Sequence, residues 1–556
     1  MKKLLFILVA GITTLSALFG NAATRSDKAE ISRNLDIFNS IYKELQMYYV
    51  DTIDARKSIE TAINAMLADI DPYTEYIPVE DQEDFMTMST GEYAGIGSYI
   101  MQRDGKVYFS EPREGSPAQH VGIRPGDLIM KIDNDTVLGW TSEKVSERLR
   151  GQAGTNVSVT VKRPYVNDSI LTFNITREKI QIDPVPYYGV IKDNIGYIDI
   201  TTFNEKTASE VKDAFIDLKN NHQITSLMLD LRNNGGGLLE EAVKILGMFL
   251  PKNTEVLRTR GKSQLNEKVY KTTSRPLDAE IPIVVLVNDN TASASEILAG
   301  ALQDLDRAVI VGRRSFGKGL VQSVRPLPYE GMLKVTISKY YIPSGRLIQA
   351  IDYSHRNPDG SVGRMPDSLT TEYPTANGRI VRDGGGITPD STVTLKDISV
   401  LTYALVVDNW VFDYANRFAA TTPSIAAPRD FEITDSIYTD FSQFVDPEKF
   451  EYDKLCEKRL SDLREVVEAT GYMTDSVVAQ LDILEALLKQ DLKRDLDTHR
   501  DEVSRYLVSE IVRRYYYDSG VIENNLNHDE DIAMGSAILL DPKQYAAILS
   551  PTKEDK

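Results

Sequence analysis

Between about Ile180 and Asp397, short apolar runs alternate with amphipathic stretches, and this alternation restricts the fold more than any other feature of the chain. Gly196–Thr201, Ile224–Leu231, Ile281–Asn288 and Ala308–Gly312 read as strands. Ala208, Val211, Phe215 and Leu218 mark one intervening helix, and Leu238–Leu250 and Ser293–Leu305 read as two more. Such a pattern calls for an α/β core with helices packed on a sheet. Two further extended runs, Leu333–Ile342 and Leu347–Ile351, follow without helices between them.

The flanks have other textures. A chain of 556 residues is too long for one hydrophobic core, so several domains are expected. Residues 24–90 read as a helical lead-in, with Leu35, Phe38, Ile41, Leu45 and Tyr48 at helical spacing and Ile59, Ile63 and Leu67 in a second segment. Residues 91–178 change to short strands and turns, punctuated by Gly115-Ser116-Pro117-Ala118 and Gly122–Asp127, with one short amphipathic helix at Ser142–Leu149. Residues 179–400 hold the α/β core, and 401–556 are charged and largely helical, with helices expected near 453–469, 474–490 and 494–517. The fold class expected is multidomain α/β plus α: a helical lead-in, a β-rich module, an α/β core and a helical C-terminal domain.

The first 23 residues read as a secretory signal. Lys2 and Lys3 precede an apolar run from Leu4 to Leu18, and Gly20-Asn21-Ala22-Ala23 supplies small residues for cleavage. That places the protein outside the cytoplasm, in the periplasm or cell envelope. Retained uncleaved, the segment would serve as an anchor, and an adaptor or membrane would be engaged there. The chain carries 82 acidic and 63 basic residues, a formal charge of −19. A surplus of that sign repels phosphate backbones and argues against nucleic acid as a partner. The single Cys456 excludes an intrachain disulfide. None of the five histidines adjoins a glycine-flanked serine or a second ligand at metal spacing, so no metal and no cofactor is expected, and a general base must be sought elsewhere.

Three segments of the core carry candidate chemistry. Ser293 follows a strand and opens a helix; with Glu296 three residues on it has the form of a capping box. The same place suits a nucleophile, because free helix amides and a positive helix terminus lie beside any developing oxyanion. Asp230-Leu231-Arg232-Asn233-Asn234-Gly235-Gly236-Gly237 ends the preceding strand with more glycines than a turn requires. Gly312-Arg313-Arg314-Ser315-Phe316-Gly317-Lys318-Gly319 matches part of a phosphate-binding loop, yet Gly319 stands where a Ser or Thr would hold Mg²⁺, and the β-like Leu320–Val324 follows instead of a helix. The other reading makes Lys318 a general base, its pKa lowered by burial and nearby positive potential.

Taken in chain order, Asp230–Gly237, then Asn290-Thr291-Ala292-Ser293-Ala294-Ser295-Glu296, then Phe316-Gly317-Lys318-Gly319 resemble the carboxyl-terminal processing, or tail-specific, serine proteases with a PDZ domain. The resemblance extends over roughly residues 30–397 and includes Ser338–Gln349 and Gly385-Gly386-Ile387-Thr388-Pro389-Asp390. It implies Ser293 as nucleophile, Lys318 as base, Gln322 as the residue orienting it, and the amides of Gly236 and Ala294 as oxyanion hole. It makes residues 91–178 a PDZ-like module in which Gly95-Ile96-Gly97-Ser98 captures the C-terminal carboxylate of a protein substrate. One position departs from the family: Gly235 stands where a proline often precedes the last two glycines. The rival reading is a PDZ scaffold on an inactive protease fold, which recruits partners without cutting them.

Overall fold

The structure, a computed structural model, describes residues 29–551 apart from 167–168, 263–266, 354–355, 358–360, 395–396, 453–454 and 489–490. The signal segment at 1–23 lies outside the described residues. The chain divides into two compact units, one of residues 1–78 with 324–335 and one of residues 79–323 with 336–556.

In the first unit, residues 29–48 are helical. The positions expected to form an apolar face are exposed, Leu35, Phe38, Ile41, Leu45 and Tyr48 among them. A second helix, Ala55–Ala68, starts where Asp54 accepts the Lys57 N–H at 2.9 Å, which satisfies one of the orphan donors of its first turn. Asp71 accepts the Tyr73 and Thr74 N–H groups, and Glu75, Tyr76 and Ile77 then pair antiparallel with Lys334, Leu333 and Met332.

The second unit begins with a β-rich module. Its strands lie in the order Ser98–Arg103, Lys106–Pro112, Leu128–Ile132, Asn156–Lys162 and Ile170–Thr176, all antiparallel. Ser98–Arg103 is therefore an edge strand. The helix Ser142–Leu149 buries Val145 and Leu149 into the module's core beside Phe109, Ile129 and Val159.

The α/β core is a six-stranded sheet in the order Tyr188–Val190, Ile195–Asp199, Ser226–Asp230, Ile283–Val287, Val309–Gly312 and Ser391–Thr392. Only the first pair is antiparallel. Every residue of Ser226–Asp230 and Ile283–Val287 is buried, as parallel strands covered on both faces require. Alternation across the strands assigns the two covers. Leu227, Leu229, Ile283 and Val285 pack against the helices Thr207–Asn220, Leu239–Phe249 and Ala294–Asp304. Met228, Val284 and Leu286 meet Ile532, Ile538 and Leu539 of the C-terminal helix Glu530–Leu540. The backbone of that helix comes close: a Cβ added at Gly535 would stand 3.0 Å from Val284 Cγ1.

Elsewhere the structure departs from the sequence reading. Glu255–Gly261 and Lys268–Lys271 are additional strands. Helices also occupy Val400–Val407, Trp410–Thr421 and Asp435–Phe444, while the segment expected at 494–517 is two helices, Leu492–Thr498 and Arg500–Asn525. The second of these is kinked at Tyr517, φ 55°.

Candidate active site

Three loops meet at the C-terminal ends of the parallel strands, the usual place for a site in such a sheet. Each is held in an unusual backbone conformation. After Ile283–Val287 the chain turns on Thr291, whose hydroxyl accepts the Asn288 N–H at 2.9 Å and donates to the Leu231 carbonyl at 2.8 Å. Ser293 follows at φ 58°, ψ −115°. A serine in that region costs on the order of 1–3 kcal/mol, tolerated only where the surroundings enforce it. Ala294 then opens a helix that is buried along its whole length, and its N–H, in the first turn, has no intrahelical acceptor.

The glycine loop presses on the nucleophile candidate. A Cβ on Gly236, φ 100°, would lie 2.7 Å from Ser293 Cβ and 2.9 Å from the Ala294 nitrogen. One on Gly237, φ 139°, would lie 2.2 Å from the Phe203 carbonyl oxygen. Gly235 differs, with nothing within 4 Å of its Cβ position, so the departure from proline there carries no steric demand. In this structure the Gly236 N–H donates to Asn234 Oδ1 at 2.9 Å. Asn234 also ties the two loops, since its carbonyl accepts the Ala292 N–H and the Ser295 hydroxyl, each at 3.0 Å. We expect Gly235→Ala to keep near wild-type turnover. Gly236→Ala should lower kcat by about 100-fold or more if Ser293 reacts, because the added methyl clashes with Ser293 Cβ and the Ala294 nitrogen; comparing kcat of the two purified variants checks this.

The third loop follows Val309–Gly312. Gly317, φ 89°, packs where a Cβ would meet Ala350 Cβ at 2.3 Å. Leu320–Pro326 is a strand, so no helix follows Lys318 and the phosphate-loop reading fails. Lys318 is half-buried, as is Ser293.

One carboxylate joins this loop to the serine. Glu296 is fully buried. It accepts the Ser293 N–H at 2.9 Å, the Gly317 N–H at 2.8 Å, the Lys318 N–H at 2.9 Å and the Ser315 hydroxyl. Burial pushes its pKa up to about 7, opposed by those same hydrogen bonds. Tyr340, at its other side, places its hydroxyl 3.2 Å from the Ser293 carbonyl oxygen and in hydrogen bond with that of Lys318. The backbones of Ser293 and Lys318 are thus fixed to each other by two shared side chains. Neither Glu296 nor Tyr340 stood out in the sequence as a site residue. Glu296 was visible only as the acidic half of a capping box, and its bonds to the lysine loop cross 21 and 22 residues.

Gln322 lies on the strand Leu320–Pro326 that directly follows Lys318, and its Nε2 donates to Thr336 Oγ1 at 3.2 Å. Gly95, Ile96, Gly97 and Ser98 lie apart from these loops, at the entrance to the edge strand of the β-rich module. The Ile96 and Gly97 carbonyls accept the Ala118 and Arg113 N–H groups, each at 2.9 Å. Ser98 donates its hydroxyl to the Glu111 carbonyl at 3.0 Å. Beside the strand, Gln102 Oε1 accepts the Ser142 N–H at 3.1 Å, bringing the helix Ser142–Leu149 alongside its free edge. Ile96 itself is buried in the module's core.

Comparison with known proteins agrees with this architecture. A family model for peptidase family S41 matches residues 194–359, one for a PDZ domain matches 108–163, and one for a probable PDZ-protease, C-terminal helical domain, matches 401–539. A carboxy-terminal-processing protease of Bartonella bacilliformis is 36% identical over 355 residues, 63% of this chain and 81% of that protein. A probable CtpA-like serine protease of Staphylococcus haemolyticus is 34% identical over 349 residues, 62% of this chain and 68% of that one. Among solved structures, a photosystem II D1 C-terminal processing protease is 28% identical, with a TM-score of 0.35, and the match covers 63% of this chain and 85% of that chain. The chain belongs to the carboxy-terminal-processing proteases, serine peptidases of family S41.

Proposed function

We propose that this protein is an exported endopeptidase that docks substrates by their C-terminal tails and cuts them with a Ser293–Lys318 dyad. The observation that carries the reading is the buried Glu296 carboxylate, bonded at once to the nucleophile's own N–H and to the N–H of Lys318. Neutral Lys318 accepts the Ser293 hydroxyl proton as Oγ attacks the scissile carbonyl. The Ala294 N–H faces the developing oxyanion at the helix N-terminus. The Gly236 N–H joins it once the loop turns that amide away from Asn234. Protonated Lys318 then gives its proton to the leaving amine, and water, deprotonated by Lys318, releases the acyl group. Gln322 is assigned to orient the amine. The apolar leader Leu4–Leu18 supports export, and among the described residues no helix is long and apolar enough to cross a membrane.

Tail recognition rests on the free edge of Ser98–Arg103 beside Ser142–Leu149, where an extended peptide can add as a further strand. Among the described residues the Ile96 and Gly97 N–H groups meet no acceptor, and they are assigned to the terminal carboxylate. Substituting Gly97 is a poor probe, since a Cβ there would lie 2.5 Å from Ser116 Cβ. Amidating the substrate's C-terminus removes the charge without touching the enzyme. KM should then rise by about 10-fold or more, as expected when a charge-assisted contact of roughly 1.5–3 kcal/mol is lost. Equal KM for free and amidated tails would show that the module does not read the terminus.

A further inference from the structure

The helix Glu530–Leu540, which covers the second face of the core sheet, starts where the catalytic loops emerge. Its N-cap, Asp529, accepts the Ile532 N–H at 3.0 Å and also the Arg232 Nη1 at 2.7 Å. Asp531 Oδ2 takes the same nitrogen at 2.9 Å. Arg232 is otherwise clamped by Asp230, with Nη2 to Oδ2 at 2.6 Å, and Tyr197 donates to that oxygen at 2.8 Å. On its other side Asp531 Oδ2 lies 3.9 Å from Arg313 Nη1, and Arg313 Nη2 lies 3.6 Å from Asp289 Oδ1. Arg232 leads into the glycine loop, and Arg313 leads into the lysine loop. One oxygen from the C-terminal helix therefore stands between the roots of both.

We propose that Asp531, supported by Asp529, is a positioning residue for catalysis, so that the C-terminal helical domain completes the active site. The inference rests on Ser293 and Lys318 being the reacting pair. The Asp531 side chain is 5% exposed, so solvent screens its ion pairs little; burial pushes its pKa up and the neighbouring Arg232 holds it down. Without the Asp531 charge, Arg232 keeps only Asp230 and Asp529 and Arg313 only Asp289 among the described residues, and the loosened roots would let the glycine and lysine loops shift about Ser293. A network that merely held the domain in place would change the melting temperature and leave the chemical step of the folded enzyme alone.

The test uses full-length protein carrying Asp531→Asn, which keeps volume and removes charge, and Asp529→Asn at the more exposed position. Kinetic constants on a tailed protein are measured beside the rate at which a fluorophosphonate modifies Ser293, with circular dichroism as the check on folding. For Asp531→Asn we expect kcat and the modification rate to fall together by about 10- to 100-fold, with KM unchanged within roughly two-fold, as sub-ångström misplacement of a reacting group produces. Asp529→Asn should show the same split at about 3- to 10-fold, and it decides alone if Asp531→Asn does not fold. Wild-type kcat in the folded variants would overturn the inference, whatever their melting temperatures. Activity in the Ser293→Ala control would instead sink the dyad reading beneath it.

Discussion

Glu296→Gln is expected to cut turnover by about 100- to 1,000-fold, because the amide offers one acceptor oxygen where the carboxylate serves donors on both the serine and lysine segments. Glu296→Ala should also lose stability, since each buried N–H left without a partner costs about 1–3 kcal/mol. The bonded form is the carboxylate, and burial holds its pKa at about 7. In wild type, kcat should therefore climb as pH rises through that value. Stability should move the other way. The folded pKa of Glu296 lies above its ordinary value of 4.5, so the folded state binds the proton more tightly, and stability falls as pH rises between the two. Asp199, pushed up to about 8 by burial and the neighbouring Asp230, contributes with the same sign. Thermal melts and rate profiles over pH 5–9 check both directions; a kcat flat across neutral pH with Glu296→Gln fully active would refute the hub role.

The parts of this architecture that were legible in the sequence share a cause. Strands buried on both faces, such as Ile283–Val287, must be apolar throughout and cannot be mistaken for amphipathic helix. Loops that need positive φ, as at Gly236, Gly237 and Gly317, announce themselves in glycine. What was hidden is non-local. Glu296 looks like an ordinary cap until the fold brings residues 315–318 onto it. The helix Glu530–Leu540 buries Asp531, Gly535 and Ser536 along with its aliphatic residues, so its core-facing side has no strong apolar period. Its bonds to Arg232 span 297 and 299 residues. Strand Glu255–Gly261 carries no clean period, because Val256 and Leu257 are buried side by side where the register shifts and Glu255, Arg258 and Arg260 are charged. In the lead-in helix the periodic pattern was real but its face is exposed, which periodicity alone does not distinguish from burial.

Ser293 and Lys318 are proposed to act as one unit, and the rival reading is a PDZ scaffold that binds tails without cutting. The most direct measurement follows cleavage of an unstructured protein with a free C-terminal tail by wild type, Ser293→Ala, Lys318→Ala and Lys318→Arg, each confirmed folded by circular dichroism. Wild type should cleave it, and all three variants should lose about 10,000-fold or more, since removing either member of such a pair removes nearly all its catalysis. Lys318→Arg should be as inactive as Lys318→Ala, because a guanidinium stays protonated at any workable pH and cannot take the serine proton. Turnover by folded Ser293→Ala or Lys318→Arg, or none by wild type, would contradict the dyad.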